Sequence, residues 1–332
     1  MATPTLEQVV LAQRDHWAQV SQEQRQREID NNIAVAEAYD LLDEVPTDVP
    51  LERVSLNRNS AFRWPTKTPE ERDALFIAEA IEELISYAVG CMFGRYSLDV
   101  PGLILADQGS TLQDYLAKVP SPSFRPDADG VLPIIDGDWF DDDIVSRFRE
   151  FLKVAFGEAN LNENVRFIEV TLGKSIRQYF VRDFYKNHVQ RYKNRPIYWM
   201  FSSRPDGNGA FNALIYLHRY TPATVNTVLN EYLRELQEKV RGTIASLDRQ
   251  TDAASKKKAD ALRPMLTECS DYERDVLYPL ALRNVEIDLD DGVLVNYLRF
   301  GKALVKIKAI EDKRSTVEDW TWPKNPLTRD DA

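Results

Sequence analysis

Apolar residues recur every three or four positions along most of this chain, which is the period of amphipathic helices. The first helix is predicted over 5–39, where a thin apolar stripe indicates an N-terminal helical arm. Prolines and polar residues then predict a linker that ends near residue 60. A capping box formed by Thr68 and Glu71 predicts the start of a second helix, which should run to Phe93.

An acidic, loop-rich insert follows this helix. Between residues 99 and 143 there are ten acidic residues and only two basic ones, together with several prolines. From residue 144 the helical period returns, and Gly157 and Gly173 are placed to end two successive helices. A further helix is expected to reach residue 192, so 138–192 should form compact helical structure.

Two β-hairpins are predicted in the C-terminal part of the chain. The first joins strands over 197–203 and 210–218 through a loop rich in turn-forming residues. The second joins strands over 285–289 and 293–297. Between the hairpins, two long apolar stripes predict an antiparallel helical hairpin, in which Pro264 should kink or restart the second helix.

These elements predict a mostly helical α+β fold, with helical segments, β-hairpins and a long antiparallel helical hairpin. The predicted segments are a helical arm and linker, a helical domain with the acidic insert, a region of two β-hairpins flanking the helical hairpin, and a C-terminal tail. Their predicted limits are 1–60, 61–192, 193–310 and 311–332.

Composition narrows the class of protein. The 332 residues are 43% hydrophobic and 29% charged, which is typical of globular proteins. With only two cysteines and three histidines, neither a structural zinc site nor a disulfide framework is expected. The sequence has no apolar stretch long enough to span a membrane and no signal-peptide pattern at its start, so a cytoplasmic protein without a membrane partner is predicted.

The aspartates at 136–143 raise the question of a metal site, because hard cations bind clustered carboxylates. Their spacing is wrong for a calcium-binding loop, since Phe140 would occupy a ligand position. Acidic residues before a helix also suit the helix dipole, and this simpler interpretation is preferred. No metal ligands and no catalytic residues are predicted.

A basic segment with interleaved aromatic residues is the strongest candidate for binding. Residues 173–195 carry a net charge of +6, which leaves −17 on the rest of a chain whose total is −11. Phosphate contacts are predicted from its basic side chains, and stacking from a following tyrosine. These residues are Lys174, Arg177, Arg182, Lys186, Arg191, Lys193, Arg195 and Tyr198. The alternative is that the aromatic residues form core and that the cations lie on a solvated helix face.

The loop of the first hairpin is a second candidate, because a glycine-rich hairpin tip could present polar side chains to base edges. The residues predicted to approach bases are Arg204, Asn208, Asn212, His218 and Arg219. An ordinary surface turn is the alternative. The glycines of this loop do not form a dinucleotide-binding motif, since a strand rather than a helix is predicted to follow.

One long stretch is recognisable. The residues from Ile85 to Asp99, followed by Pro101-Gly102-Leu103, resemble the C-terminal half of the PglX-type adenine-specific DNA methyltransferases of BREX phage-defence systems. The similarity continues through 139–156, 195–220 and 286–302, and it covers roughly residues 30 to 310.

This resemblance implies a target-recognition portion of such a methyltransferase, with double-stranded DNA as its partner. The family's S-adenosylmethionine loop and Asn-Pro-Pro-Tyr-type motif belong to its front half, and this chain contains no Pro-Pro dipeptide. A catalytic domain or chain is therefore expected to supply S-adenosylmethionine-dependent methyl transfer, and this chain is expected to be inactive alone. The alternative function is an assembly module that docks other BREX proteins without contacting DNA.

Overall fold

The computed structural model of the chain describes residues 3–318. Its helices are α1 Leu6–Ala38, α2 Ser60–Arg63, α3 Pro69–Met92, α4 Leu112–Lys118, α5 Ile144–Phe156, α6 Leu161–Leu172, α7 Ile176–Tyr179, α8 Tyr185–Arg191, α9 Thr224–Thr227, α10 Arg234–Asp248, α11 Ala253–Tyr272, α12 Tyr278–Leu282, α13 Gly292–Leu298, α14 Lys308–Glu311 and α15 Arg314–Glu318. Its strands are β1 Val131–Pro133, β2 Tyr198–Ser202 and β3 Asn212–Tyr216. The predicted, mostly helical α+β fold is confirmed.

The described residues divide into two compact units, of which the first comprises residues 3–85 and 155–174. The predicted N-terminal helix is confirmed as α1. It begins with a capping box, because the Thr5 hydroxyl accepts a hydrogen bond from the Gln8 N–H while the Gln8 side chain accepts one from the Thr5 N–H. The Asn164 side chain on α6 accepts a further bond, of 2.8 Å, from the N–H of Leu6. This bond ties the first turn of α1 to α6.

The second unit comprises residues 86–154 and 175–318, and its centre is an antiparallel sheet in the order β1-β3-β2. The predicted first hairpin is confirmed, with Tyr198 opposite Tyr216 and Ser202 opposite Asn212. Strand β1 was not predicted, because its three residues lie within the proline-containing acidic insert. Every residue of the three strands is buried, so both faces of the sheet contact core.

The predicted second hairpin is wrong. Residues 289–291 form a 3₁₀ turn, and the chain continues as helix α13. The Asp288 carboxylate accepts a hydrogen bond from the N–H of Asp290, and the Asn296 amide donates to the carbonyl oxygen of Gly292. Residues 295–298 are all buried, so tertiary packing decides this segment against the β-propensity of its valines.

The predicted helical hairpin is confirmed, with α10 and α11 packed antiparallel. The Gln237 amide on α10 donates to the carbonyl oxygen of Cys269, and Arg263 on α11 forms an ion pair with Asp248 at 2.8 Å. A kink or a restart was predicted at Pro264. The restart is wrong, since α11 continues through Pro264, whereas the kink stays a prediction. Proline cannot donate to the carbonyl four residues earlier, and that carbonyl belongs to the exposed residue Asp260, where water can replace the lost bond.

The predicted segment limits stay predictions. Of the predicted C-terminal tail, residues 319–332 lie outside the described residues, whereas 311–318 contribute to α14 and α15. Within residues 3–318, no helix combines the length and the apolar character that a membrane span requires.

Candidate nucleic-acid interface

A cleft of about 590 Å³ opens in the second unit and is lined by three segments of the chain. Residues 181–194 supply one wall, the tip of the β2–β3 loop at 206–208 supplies another, and residues 305–312 supply the third. We call this feature the basic cleft. It brings together positions that are more than 100 residues apart in sequence.

The charge of the basic cleft is positive. Arg182, Lys186, Lys306 and Lys308 line it, against two carboxylates, Asp206 and Asp312. All four cations are exposed, and none of them has an ion-pair partner within residues 3–318. Cations that the described residues do not pair with a carboxylate attract an anionic ligand, so this arrangement suits phosphate groups.

The first wall is shaped by an irregular helix. A π-helical turn at Phe180–Phe184 joins α7 to α8, and both of its phenylalanines are buried. Arg182 in this turn and Lys186 in α8 are four positions apart, and both are exposed to solvent. π-Helical turns inside helices occur frequently at functional sites.

The third wall is fixed by backbone pairing with β2. The N–H of Ser202 donates to the carbonyl oxygen of Ala303, and the N–H of Val305 donates to that of Met200. One residue further on, the N–H of Lys306 donates to the carbonyl oxygen of Pro205 at 2.6 Å. This pairing places Lys306 beside the β2–β3 loop. Sequence reasoning missed Lys306 and Lys308, although two cations flanking the apolar Ile307 already indicated an extended segment with exposed charges.

The β2–β3 loop is fastened to helix α11 by one carboxylate. Glu268 accepts hydrogen bonds from the Ser203 hydroxyl at 2.6 Å, the Ala210 N–H at 2.7 Å and the Arg204 guanidinium at 2.8 Å. Burial alone would raise the pKa of Glu268, but these three hydrogen bonds outweigh burial and lower it. Both ends of the loop are therefore held by an ionised Glu268.

The loop geometry also requires glycine. Gly207 has a φ of +79°, and a Cβ atom there would lie 3.1 Å from the Met200 side chain. At Gly209 a Cβ atom would lie 2.8 Å from the backbone nitrogen of Arg204. Between these glycines, the N–H of Asn208 donates to the Asp206 carboxylate and holds the pKa of that carboxyl below its ordinary value. The loop tip therefore has a defined shape with the Asn208 side chain exposed.

Of the predicted DNA-contacting residues, Arg182, Lys186 and Asn208 line the basic cleft. Other predicted cations lie elsewhere. Arg191, Lys193 and Arg195 are exposed at and after the end of α8, Arg204 is paired with Glu268, and Lys174 is half-buried in the first unit.

Arg177 has a structural role, because its guanidinium is held by other residues of the chain. Its guanidinium lies 2.6 Å from Asp143 and 2.5 Å from Asp138, and it donates to the carbonyl oxygen of Ile135. Asp143 also accepts a hydrogen bond from the N–H of Ser146 in the first turn of α5, which agrees with the predicted role of these aspartates at a helix start. Within the described residues, no group of three or more His, Cys, Asp and Glu side chains is placed to hold a metal ion.

Of four further residues predicted to contact bases, three belong to the core and one is half-buried. Tyr198 is 1% exposed, and its ring lies 4.6 Å from that of His188. Asn212 is buried and donates to the carbonyl oxygen of Gly209, while the buried Arg219 donates to those of Asp127 and Ala128. His218 is half-buried, and burial lowers its pKa. Both faces of this sheet are covered, so side chains on its strands lie in the core.

Residues 3–318 do not fit an S-adenosylmethionine cradle. Nucleotide cofactors of open α/β proteins bind at the carboxyl ends of parallel strands, where a glycine-rich turn leads into a helix. All strand pairs in the described part of the chain are antiparallel, and the glycine-containing loop after β2 leads into another strand. We therefore assign no methyl-transfer step to these residues.

No protein-family model matches the sequence. The chain is similar to the adenine-specific methyltransferase BrxX of Escherichia coli O9:H4 (strain HS), with 38% identity over 292 residues, which are 80% of this chain and 24% of that protein. It is also similar to the adenine-specific methyltransferase PglX of Lacticaseibacillus casei (strain Zhang), with 38% identity over 256 residues, which are 70% of this chain and 20% of that protein.

The predicted resemblance to PglX-type adenine-specific methyltransferases is thus confirmed. The chain spans only about a quarter and a fifth of the length of these two relatives. It is related to a part of such proteins, and the activity of a whole methyltransferase does not transfer to it from this similarity.

Proposed function

We propose that this chain is a DNA-recognition portion of a PglX-type adenine-specific methyltransferase, in which the basic cleft binds double-stranded DNA. The observation that carries the proposal is the group of four exposed cations that have no ion-pair partner among residues 3–318 and lie around one cleft, in a chain whose net charge is −11. The similarity to BrxX and PglX supports the enzymatic context. Methyl transfer from S-adenosylmethionine is supplied by a catalytic domain that these residues do not form.

The proposed contacts divide into two kinds. Arg182, Lys186, Lys306 and Lys308 neutralise phosphates and release counterions, which gives affinity without sequence preference. Asn208 at the loop tip is an amide that can pair with a base edge, as asparagine does with adenine in the major groove. The exposed Lys193 and Arg195 after α8 extend the phosphate-binding surface.

The charge contribution is tested with a fourfold variant, R182Q/K186Q/K306Q/K308Q. Duplex DNA binding is measured by fluorescence anisotropy from 50 to 300 mM salt. The slope of log K against log salt is negative, and each lost phosphate contact reduces its magnitude by about 0.9. The slope of the fourfold variant should therefore be smaller in magnitude by about 3.6. Affinity should fall alike for all DNA sequences, because phosphates carry no sequence information.

The matched control is R249Q/K256Q/K257Q/K258Q, which removes the same charge from exposed residues at the turn of the α10–α11 hairpin. The control should bind DNA with the wild-type slope. Equal losses in the two variants would mean that only overall charge matters. DNA binding that survives in the cleft variant would contradict the basic cleft as the DNA-binding surface. A wild type that binds no DNA would favour the alternative of a protein-assembly module.

Sequence recognition is tested separately, by selection from a randomised duplex pool. The wild type should enrich a short site that persists at near-physiological salt. N208A should change or relax one position of that site while the salt slope stays constant, because a base contact carries discrimination of about 1–3 kcal/mol. Enrichment of the same site by N208A would remove Asn208 from the interface.

A further inference from the structure

The floor of the basic cleft is apolar, and a phosphate grip does not require this. Beneath the cationic rim lie Val181, Tyr185, Val189, Met200, Val305 and Ile307. Four of these side chains are nearly buried, with relative exposures of 5% for Tyr185, 3% for Met200, 8% for Val305 and 5% for Ile307. The sugar-phosphate backbone of a duplex presents anions and sugars at its surface, whereas its bases are stacked inside. An apolar floor fits a flat, apolar ring face.

The polar groups above this floor match the edge of such a ring. Gln190, Asn194 and Asn208 offer amide donors and acceptors, and Asp206 and Asp312 offer acceptors for amino groups. Small-ligand pockets typically enclose about 300–1,000 Å³ with an apolar lining and a few polar groups. The 590 Å³ of the basic cleft lies within that range.

We infer that the basic cleft is a nucleotide pocket, in which one unpaired nucleotide places its base on the apolar floor and its phosphate against the cationic rim. The four cations disfavour an uncharged ligand, and the floor disfavours a bare phosphate. The nucleotide is either free in solution or an unpaired unit of a DNA strand. Only the second source rests on the proposed function.

The role of the base is tested by comparing nucleotides with a sugar phosphate that lacks a base. Binding of dAMP, dGMP, dCMP and dTMP to the full chain is measured by titration calorimetry beside that of 2-deoxyribose 5-phosphate. At least one nucleotide should bind ten-fold or more tightly than the sugar phosphate. Equal affinities, or no nucleotide binding, would overturn the inference.

The location is tested by filling the cleft. Ala309 lines it and is exposed, so A309W should add an indole to the pocket without disturbing the core. V189F fills the same space from α8 and serves as a second variant. Both should weaken nucleotide binding at least ten-fold. A254W, at an exposed alanine of α11, is the matched control and should bind as the wild type does. Unchanged nucleotide binding in both cleft variants would place the site elsewhere and overturn the inference.

Whether the nucleotide is free or belongs to a DNA strand is tested with DNA duplexes that are fully paired or carry one unpaired nucleotide. A gain in affinity from the unpaired nucleotide that A309W removes would identify a nucleotide within DNA. Mononucleotide binding without that gain would identify a free nucleotide. If fully paired DNA binds through the four cations while all four nucleotides bind no more tightly than the sugar phosphate, the nucleotide pocket is overturned and the proposed function stays intact.

Discussion

At the scale of single residues, His188 shows how burial fixes a protonation state. Its Nε2 atom accepts a hydrogen bond of 3.1 Å from the N–H of Tyr198, which requires an unprotonated nitrogen. The ring is stacked near that of Tyr198, and the side chain is 3% exposed. Burial, together with the charges of Arg191 and Arg95, lowers the pKa of His188 to about 3. His188 is therefore a neutral packing residue and not a phosphate contact.

This state predicts a pH dependence of stability. In the unfolded chain a histidine takes up a proton below its ordinary pKa of about 6.5, whereas folded His188 stays neutral to about pH 3. Its contribution is therefore complete above pH 6.5 and declines as the pH falls, by about 1.4 kcal/mol per pH unit. Between pH 7.5 and pH 5 the free energy of unfolding should drop by about 2 kcal/mol from this residue.

The measurement is urea unfolding at these two pH values for the wild type and for H188Q, whose amide oxygen can still accept the bond from Tyr198. The variant should show a smaller difference between the two pH values. H16Q is the control, because His16 is exposed on α1. This variant should retain the wild-type difference in the free energy of unfolding between the two pH values. Identical pH dependence in H188Q and the wild type would show that His188 does not titrate differently on folding.

At the scale of elements, local patterns predicted structure well wherever neighbouring residues decide it. The capping box at Thr68 and Glu71 forms, with the Thr68 hydroxyl accepting from the Glu71 N–H and the Glu71 carboxylate accepting from the Thr68 N–H. Helix α13 was predicted as a strand because its valines and tyrosine favour strands, while its burial depends on residues distant in sequence. Period and propensity do not contain that information.

The sequence likewise predicted those residues of the candidate site that local features determine, and it missed those that depend on distant contacts. Arg182, Lys186 and Asn208 follow from a basic helix and a glycine-rich loop, which are local features. Lys306 and Lys308 become part of the cleft only because residues 303–305 pair with β2, about 100 residues earlier. The burial of Asn212 and Arg219 depends likewise on what covers the second face of the sheet.

The tie between helix α11 and the β2–β3 loop predicts an effect on recognition rather than on affinity. E268A leaves the Ala210 N–H without its acceptor and the Ser203 hydroxyl with only the carbonyl oxygen of Phe211, which should destabilise the chain by about 1–3 kcal/mol. The loop tip should then lose its fixed shape. In selection from a randomised duplex pool, enrichment of a site should weaken, while the salt slope stays constant because the cleft cations remain.

The matched control is D271A, because Asp271 is an exposed carboxylate on the same helix whose ion pair is with Arg274. D271A should alter neither the enrichment of a site nor the salt slope. E268Q keeps one acceptor oxygen and should give an intermediate loss of enrichment. A lower salt slope in E268A, with its selected site unchanged, would show that Glu268 supports the phosphate contacts instead of the loop.

At the scale of the whole molecule, long-range and local electrostatics oppose each other. The chain carries −11 overall, whereas the basic cleft has four cations against two carboxylates. The net charge repels DNA over about 30 Å at 0.01 M salt but only over about 8 Å at 0.15 M, because ions screen it. Contacts between cleft cations and phosphates occur at short range and are screened less.

Neutralising acids outside the cleft should therefore strengthen DNA binding only at low salt. Asp40, Asp43 and Glu44 are exposed and do not line the cleft, and D40N/D43N/E44Q reduces the net charge from −11 to −8. Asparagine tolerates the φ of +57° at position 40. Anisotropy should show several-fold tighter duplex binding than the wild type at 10 mM salt and equal binding at 150 mM. An equal gain at both concentrations would indicate that these acids affect bound DNA directly, and no gain at 10 mM would mean that the net charge does not oppose binding.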